Sequence, residues 1–215
     1  MIKVYGLGLS FPVNRVRMCL NALELEYEFV VINPLAGETQ TEDYLKLSPS
    51  GKIPALDDDG FYLFEGNAIM KYLCRKHNSD LYPADFVEQA HVDKWLDFII
   101  AHLNNGLAKV FFNKFIAGLI DVEADEKSMQ EGYEFIKRFM AVIEEQLGTT
   151  TYLAGDKMTI ADICLLATVD PFDVIGINIS DYPNVAAWAI KLMNEPFYTK
   201  VHASYKETLD AAMAG

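Results

Sequence analysis

The chain has 215 residues, of which 51% are hydrophobic and 23% charged; it can bury a substantial core in one or two domains, and a disordered or fibrous reading is excluded. Its 31 acidic and 18 basic residues give a formal net charge of −13. That charge argues against nucleic acid or an anionic membrane as a main partner.

Residues 2–5 read as a short strand, and 6–12 as an irregular loop containing two glycines. Val13, Val16, Leu20 and Leu23 recur at helical spacing, which puts Ser10 just ahead of a helix N-terminus. Residues 27–32 are rich in aromatic and β-branched side chains and read as a second strand. The span between the two strands is long enough for a βαβ unit with parallel strands. A loop over 33–41 leads to a brief helix at 42–47. Residues 55–57 and 61–64 then form a hairpin around Asp59-Gly60, and 67–77 a third helix. A βαβ followed by ββα is the thioredoxin-like arrangement, so an α/β thioredoxin-like N-terminal domain is expected over 1–78.

Residues 79–86, with Asp80-Leu81-Tyr82-Pro83, read as a linker. Beyond it strand signals stop and an all-α C-terminal domain is expected over 87–215. One long helix carries Val92, Trp95, Leu96, Ile99, Leu103, Leu107 and Val110; the next carries Met129, Tyr133, Ile136, Met140, Ile143 and Leu147. As antiparallel neighbours they would bury these stripes against each other. Thr159 and Asp162 have the spacing of a capping box, with Met158 and Ile163 as its hydrophobic staple. The helix that follows is apolar on nearly every face and must be central, and losing either cap residue should cost about 0.5–2 kcal/mol. Segments 184–193 and 196–209 complete the helical domain, with Trp188 in its core.

Cys19, Cys74 and Cys164 are odd in number, far apart and surrounded by apolar helical sequence, which reads as buried reduced thiols. His77, His91, His102 and His202 show no paired spacing for a metal, so no metal is expected. No stretch reaches the roughly 18 apolar residues that span a bilayer. A soluble, cytoplasmic protein without a membrane partner is the expectation.

The densest information lies between Ser48 and Ile69. Pro54 cannot donate to a strand ladder, so it belongs at a strand's first position or at a bend, leaving the backbone of Ile53 open on one side. A helix starting at Gly66 supplies unpaired N–H groups and a partial positive charge suited to a carboxylate. Two such anchors a short distance apart suit an extended, peptide-like ligand. On position alone Ser10 simply caps its helix, although a hydroxyl there can also donate to a sulfur anion.

Gly51-Lys52-Ile53-Pro54-Ala55-Leu56, followed by Phe64-Glu65-Gly66-Asn67-Ala68-Ile69, resembles the tripeptide-binding half of cytosolic glutathione transferases. Tyr5-Gly6 and Ser10-Phe11-Pro12-Val13-Asn14-Arg15-Val16 resemble the first strand and catalytic loop of the serine-type classes (theta-, phi- or delta-like). The run from Tyr152 through Gly155-Asp156 to Ala161-Asp162 resembles the helical-domain signature. The three blocks stand in the family's order and span most of the chain. The resemblance implies a homodimeric transferase that joins glutathione, as co-substrate with no further cofactor, to small apolar electrophiles. It assigns Ser10 to activating the thiol, with Asn14 and Tyr5 as alternatives. Ile53, with Pro54 cis, would pair with the cysteinyl part of glutathione. Glu65 would meet the γ-glutamyl ammonium, the Gly66 and Asn67 N–H groups its carboxylate, and Lys52 with Gln40 the glycyl carboxylate. Phe11, Phe111, Phe112 and Phe115 are candidates for an apolar electrophile pocket shared between domains.

Two positions depart from the family pattern. Gly66 stands where a hydroxyl residue is common, and Thr39-Gln40 where serine-type relatives often carry basic residues. Arg15 and Arg17 are expected to pair with acidic neighbours or a partner subunit. Alternative readings are a non-catalytic binding module of the same fold, or a glutathione-dependent isomerase, dehalogenase or peroxidase.

Overall fold

The computed structural model describes residues 1–213. It divides into two compact units, Met1–Pro83 joined by the segment from Met193 onward, and Ala84–Leu192.

The first unit runs β1 (Ile2–Gly6), α1 (Phe11–Ala22), β2 (Tyr27–Val31), α2 (Glu42–Leu47), β3 (Ala55–Asp58), β4 (Phe61–Phe64) and α3 (Gly66–Lys76). The sheet order is β2-β1-β3-β4, with β1 parallel to β2 and antiparallel to β3, and β3 antiparallel to β4. This is the expected thioredoxin-like arrangement. Strand parity sets its layers: Ile2, Val4 and Gly6 are buried while Lys3 and Tyr5 are half-buried. Gly6 lies directly under α1, where an added Cβ would stand 2.5 Å from Val13 Cγ2. Only glycine lets that helix rest on the strand. The hairpin turns through Asp59 (φ 52°) and Gly60 (φ 91°), both with positive φ, as a two-residue turn between twisted strands requires. At its base the buried Asp58 accepts hydrogen bonds from Tyr72 Oη at 2.8 Å and from Lys76 Nζ, fastening α3 to β3.

In the second unit α4 (Phe86–Phe98) runs through a π-helical turn (Ile99–Leu103) into α5 (Asn104–Phe111) and a second π-helical turn (Phe112–Ile116). The apolar spacing predicts one uniform helix over much of this span. The π turns widen it locally without breaking the apolar stripe, so Val92, Trp95, Leu96, Ile99, Leu103, Leu107 and Val110 are all buried. Next comes α6 (Glu126–Leu147), which crosses α5 where Gly106 and Gly132 meet back to back. A Cβ on either would lie under 3 Å from the other's carbonyl oxygen. The unit continues with α7 (Ile160–Val169), α8 (Phe172–Ile175) and α9 (Pro183–Met193). Every residue of α7 is buried, as its uniformly apolar sequence requires.

The last two helices, α10 (Pro196–Thr199) and α11 (Tyr205–Met213), group with the first unit, whereas the sequence reading put them in the helical domain over 87–215. The physical reason is their aromatic content. Phe197, Tyr198 and Tyr205 are buried, α10 packs on α1, and Asn21 Nδ2 donates to the Phe197 carbonyl at 3.1 Å.

The Thr159 capping box is present, and Asp162 does more than cap. Its buried carboxylate accepts from Thr159 N (2.9 Å), Thr159 Oγ1 (3.2 Å), Leu153 N (2.8 Å) and Trp188 Nε1 (3.1 Å). Burial pushes this carboxyl above its ordinary pKa, against the pull of the four donors. It therefore joins the loop before α7, the first turn of α7 and α9. Asp162→Ala strands several buried donors at once, so the expected loss exceeds that of a cap, on the order of 3 kcal/mol. At roughly 2–4 °C per kcal/mol for a chain of this size, the melting temperature should fall by about 6–12 °C. Activity per folded molecule should stay unchanged; a melting curve like that of the parent protein would refute this account.

Candidate functional site

The register of β1 on β3 sets Tyr5 beside Ala55, and the register of β3 on β4 sets Ala55 beside Phe64. Three chain segments are thereby brought to one end of the sheet: the loop after β1 that carries Ser10, the Ile53-Pro54 entry to β3, and the Glu65-Gly66 exit from β4. These are the segments that the sequence singles out.

Ser10 is the N-cap of α1. Its Oγ accepts from Val13 N at a long 3.4 Å, while its carbonyl accepts from Val13 N and Asn14 N at 2.9 and 2.8 Å. As an acceptor in the cap, the hydroxyl still has its own proton to donate. The loop behind it is pinned carbonyl by carbonyl. Leu7 O accepts from Ser10 N (2.9 Å), Gly8 O from Asn14 Nδ2 (2.9 Å), and Leu9 O from Tyr205 Oη (2.6 Å). Asn14, an alternative thiol donor in the sequence reading, is thus buried and occupied with Gly8 and with Arg17 Nη1, which donates to its Oδ1 at 3.3 Å. Tyr5, the other alternative, has the opposite parity from Gly6. It lines a cleft with Tyr44, Leu47 and Tyr62 on the α2 face of the sheet. Burial, followed by Asp57, raises its phenol pKa.

The Ile53-Pro54 bond is cis. The loop before it is held from beneath, because Lys52 O accepts from both Tyr44 Oη (3.0 Å) and Ser48 Oγ (2.9 Å). Tyr44 is buried, and its phenol is pushed up to about 12, so it stays a donor. Gln40 Nε2 donates to Gly51 O at 3.4 Å, which brings Gln40 to the same loop as the exposed Lys52. Neither Tyr44 nor Ser48 was legible as a support, since each acts through a carbonyl that only the folded loop presents.

At the third segment Glu65 sits at φ 70°, ψ 109°, a sparsely populated conformation for a residue with a side chain, which costs on the order of 1–3 kcal/mol. Its exposed carboxylate makes no capping bond to α3. The helix therefore begins with backbone N–H groups turned to the site and a carboxylate beside them. The Gly66 departure has a steric cause: an added Cβ would lie 3.1 Å from the Pro12 carbonyl oxygen and 3.3 Å from Arg15 Cδ. Arg15 is buried and donates to Asn67 Oδ1 at 3.2 Å, joining α1 to α3 behind the site. Arg17 bonds Tyr27 Oη at 3.4 Å as well as Asn14, and lies over the Phe29 ring. The expected acidic partners are thus replaced, for Arg17, by amide, phenol and ring.

Of the apolar candidates, Phe11 is half-buried at the first residue of α1. In the second unit Phe111 and Phe115 pair with ring centroids 5.0 Å apart, and Phe112 is exposed. All three lie at or inside the second π-helical turn.

Known proteins resemble this chain along nearly its whole length. Family models described as the glutathione S-transferase N-terminal domain and C-terminal domain match residues 1–75 and 88–196. The chain is 33% identical over 213 residues to glutathione S-transferase 1 of Zea mays, spanning 95% of this chain and 97% of that protein. It is 35% identical over 214 residues to the probable glutathione S-transferase GSTF2 of Oryza sativa subsp. japonica, with 95% and 97% spanned. Among solved structures, glutathione S-transferase-I bound with the ligand lactoylglutathione superimposes with a TM-score of 0.85 at 31% identity, over 93% of this chain and 97% of that one.

Because α1 and α3 meet so closely at Gly66, Gly66→Ala should destabilise the protein by on the order of 1 kcal/mol through overpacking. Urea unfolding would measure the change; an unaltered or raised midpoint would mean that the Pro12 carbonyl gives way freely.

Proposed function

The chain belongs to the glutathione S-transferase family, and on that premise we propose how its own residues carry out the conjugation of glutathione to small apolar electrophiles. The observation that carries the assignment is the convergence of Ser10, cis-Pro54 and Glu65-Gly66 at one end of the sheet, within a chain related along nearly its whole length to enzymes of this activity.

Ser10 donates its hydroxyl proton to the glutathione sulfur, and the N-terminus of α1 adds favourable potential. Ile53 pairs its backbone with the cysteinyl unit, exposed by the cis bond to Pro54. Glu65 holds the γ-glutamyl ammonium while the Gly66 and Asn67 N–H groups take its carboxylate. Support for this pair comes from the uncapped start of α3 and the strained backbone of Glu65. Lys52 and Gln40 take the glycyl carboxylate, supported by their shared loop. These local donors offset a net charge of −13, because charges farther than about 8 Å are largely screened at physiological salt. Phe11, half-buried and next to Ser10 in sequence, contacts the electrophile. The related structure that holds lactoylglutathione, an S-substituted glutathione, supports a site that keeps the tripeptide while its sulfur carries a substituent.

Magnitudes decide how the rate is divided. A free thiol of pKa about 8.5 is only a few per cent thiolate at neutral pH, and lowering it by about two units is worth roughly 2.7 kcal/mol. That raises the thiolate population at most about 30-fold. The less basic sulfur is also less nucleophilic, with a Brønsted slope near 0.4–0.5, which returns most of a factor of ten. Activation of the thiol is therefore a several-fold effect, and holding the electrophile beside the sulfur supplies the rest.

The protein works as a homodimer in the cytoplasm, consuming reactive electrophiles. Two observations support this. The edge strand β4 exposes Tyr62 and Phe64 on one face and Phe61 on the other, an aromatic sheet edge that a second copy would cover. The three cysteines are buried free thiols, in keeping with a reducing compartment. Among the described residues no helix is long and apolar enough to cross a membrane.

Ser10→Ala should raise the pKa of bound glutathione by about two units and lower conjugation of a chlorinated nitroaromatic several-fold at neutral pH, with recovery in alkali. Unchanged thiolate absorbance in the variant would transfer the role to another group. Sedimentation at micromolar concentration should give a particle of two chains, and a monomer there would remove the dimer.

A further inference from the structure

We propose that Tyr205, on the C-terminal helix α11, is a positioning residue for Ser10, so that the end of the chain sets how well the catalytic loop ionises the bound thiol. The inference rests on the reading of Ser10 as the thiol's hydrogen-bond donor, and adds a residue 196 positions away in sequence from the carbonyl it holds.

The peptide plane between Leu9 and Ser10 is gripped at both ends. Its N–H donates to Leu7 O at 2.9 Å, and its carbonyl accepts from Tyr205 Oη at 2.6 Å. Ser10 Cα is bonded to this plane, so the plane's orientation sets where Oγ points. The bond to Val13 N at 3.4 Å is too long to fix the hydroxyl by itself. Tyr205 is in turn rigid. It is only 1% exposed, its ring meets His202 edge-on at 6.2 Å, and His202 meets Tyr198 at 5.1 Å in the segment seated on α1. A donor to a developing or standing anion works only when it is held in place beforehand, and a shift of a fraction of an ångström is felt. Asn14 performs the same service one residue earlier, at Gly8 O, but from within α1 itself. Tyr205 grips this loop from outside the β1–α1 segment, at Leu9 O.

The test compares Tyr205→Phe with Ser10→Ala, reading the absorbance of the thiolate of enzyme-bound glutathione against pH alongside the pH profile of kcat/KM. Phenylalanine keeps the buried ring and removes only the hydroxyl. The other titratable groups around this loop, among them Tyr5, Arg15, Arg17, Cys19, Lys52, Glu65, His202, Lys206, Glu207 and Asp210, are the same in parent and variant. Tyr205→Phe should raise the bound thiol's pKa by about half a unit, lowering the thiolate fraction about threefold below that pKa, with the rate recovering in alkali. Ser10→Ala should move it further. A variant that melts earlier but keeps the parental thiol pKa and profile would overturn the positioning role while the serine reading stands, because a purely structural tyrosine changes the folded fraction and not the titration. If Ser10→Ala itself leaves the titration in place, both ideas fall together.

Discussion

The site exists because of one register. Tyr5 lies opposite Ala55, and Ala55 opposite Phe64, and a slip of one residue in either ladder would turn every side chain of the slipped strand to the other face. Gly6 enforces that register from the helix side. It is the strand position on which Val13 rests, and no other residue type leaves room there. With the register fixed, the loop after β1, the entry to β3 and the exit from β4 emerge together.

Much of this was legible in the sequence, and what was legible is local. Pro54 in a strand entry, an N-cap serine ahead of an apolar helix and a Thr159/Asp162 box are each decided within a few residues. The two-residue turn at Asp59-Gly60 follows from residue types that tolerate positive φ. The face that Tyr5 takes was also available. Period-two alternation puts Tyr5 and Gly6 on opposite faces, and a glycine in a strand marks the face where another backbone or side chain approaches closely.

What was not legible is what depends on two distant segments meeting. The helical pattern of 196–209 is the same whether it packs on α1 or on other helices, so its place in the first unit had no signature. The π-helical turns share the apolar stripe of an α-helix and so read as part of one. Asp162 was recognisable as a cap, but its bonds to Leu153 and Trp188 need the loop and α9 to arrive first. The steric reason for Gly66 lies in Pro12 and Arg15, more than fifty residues earlier.

The return of the C-terminal segment to the first unit has a consequence for synthesis. The helical unit, Ala84–Leu192, is continuous in sequence and has all of its residues once they leave the ribosome. The first unit is split around it, and while translation proceeds its α1 lacks the cover of Phe197 and Tyr198, and Leu9 has no phenol to bind. The nascent chain thus carries a half-dressed N-terminal sheet through the making of more than a hundred residues. The loop that carries Ser10 gains its bond from Tyr205 only at the end of synthesis.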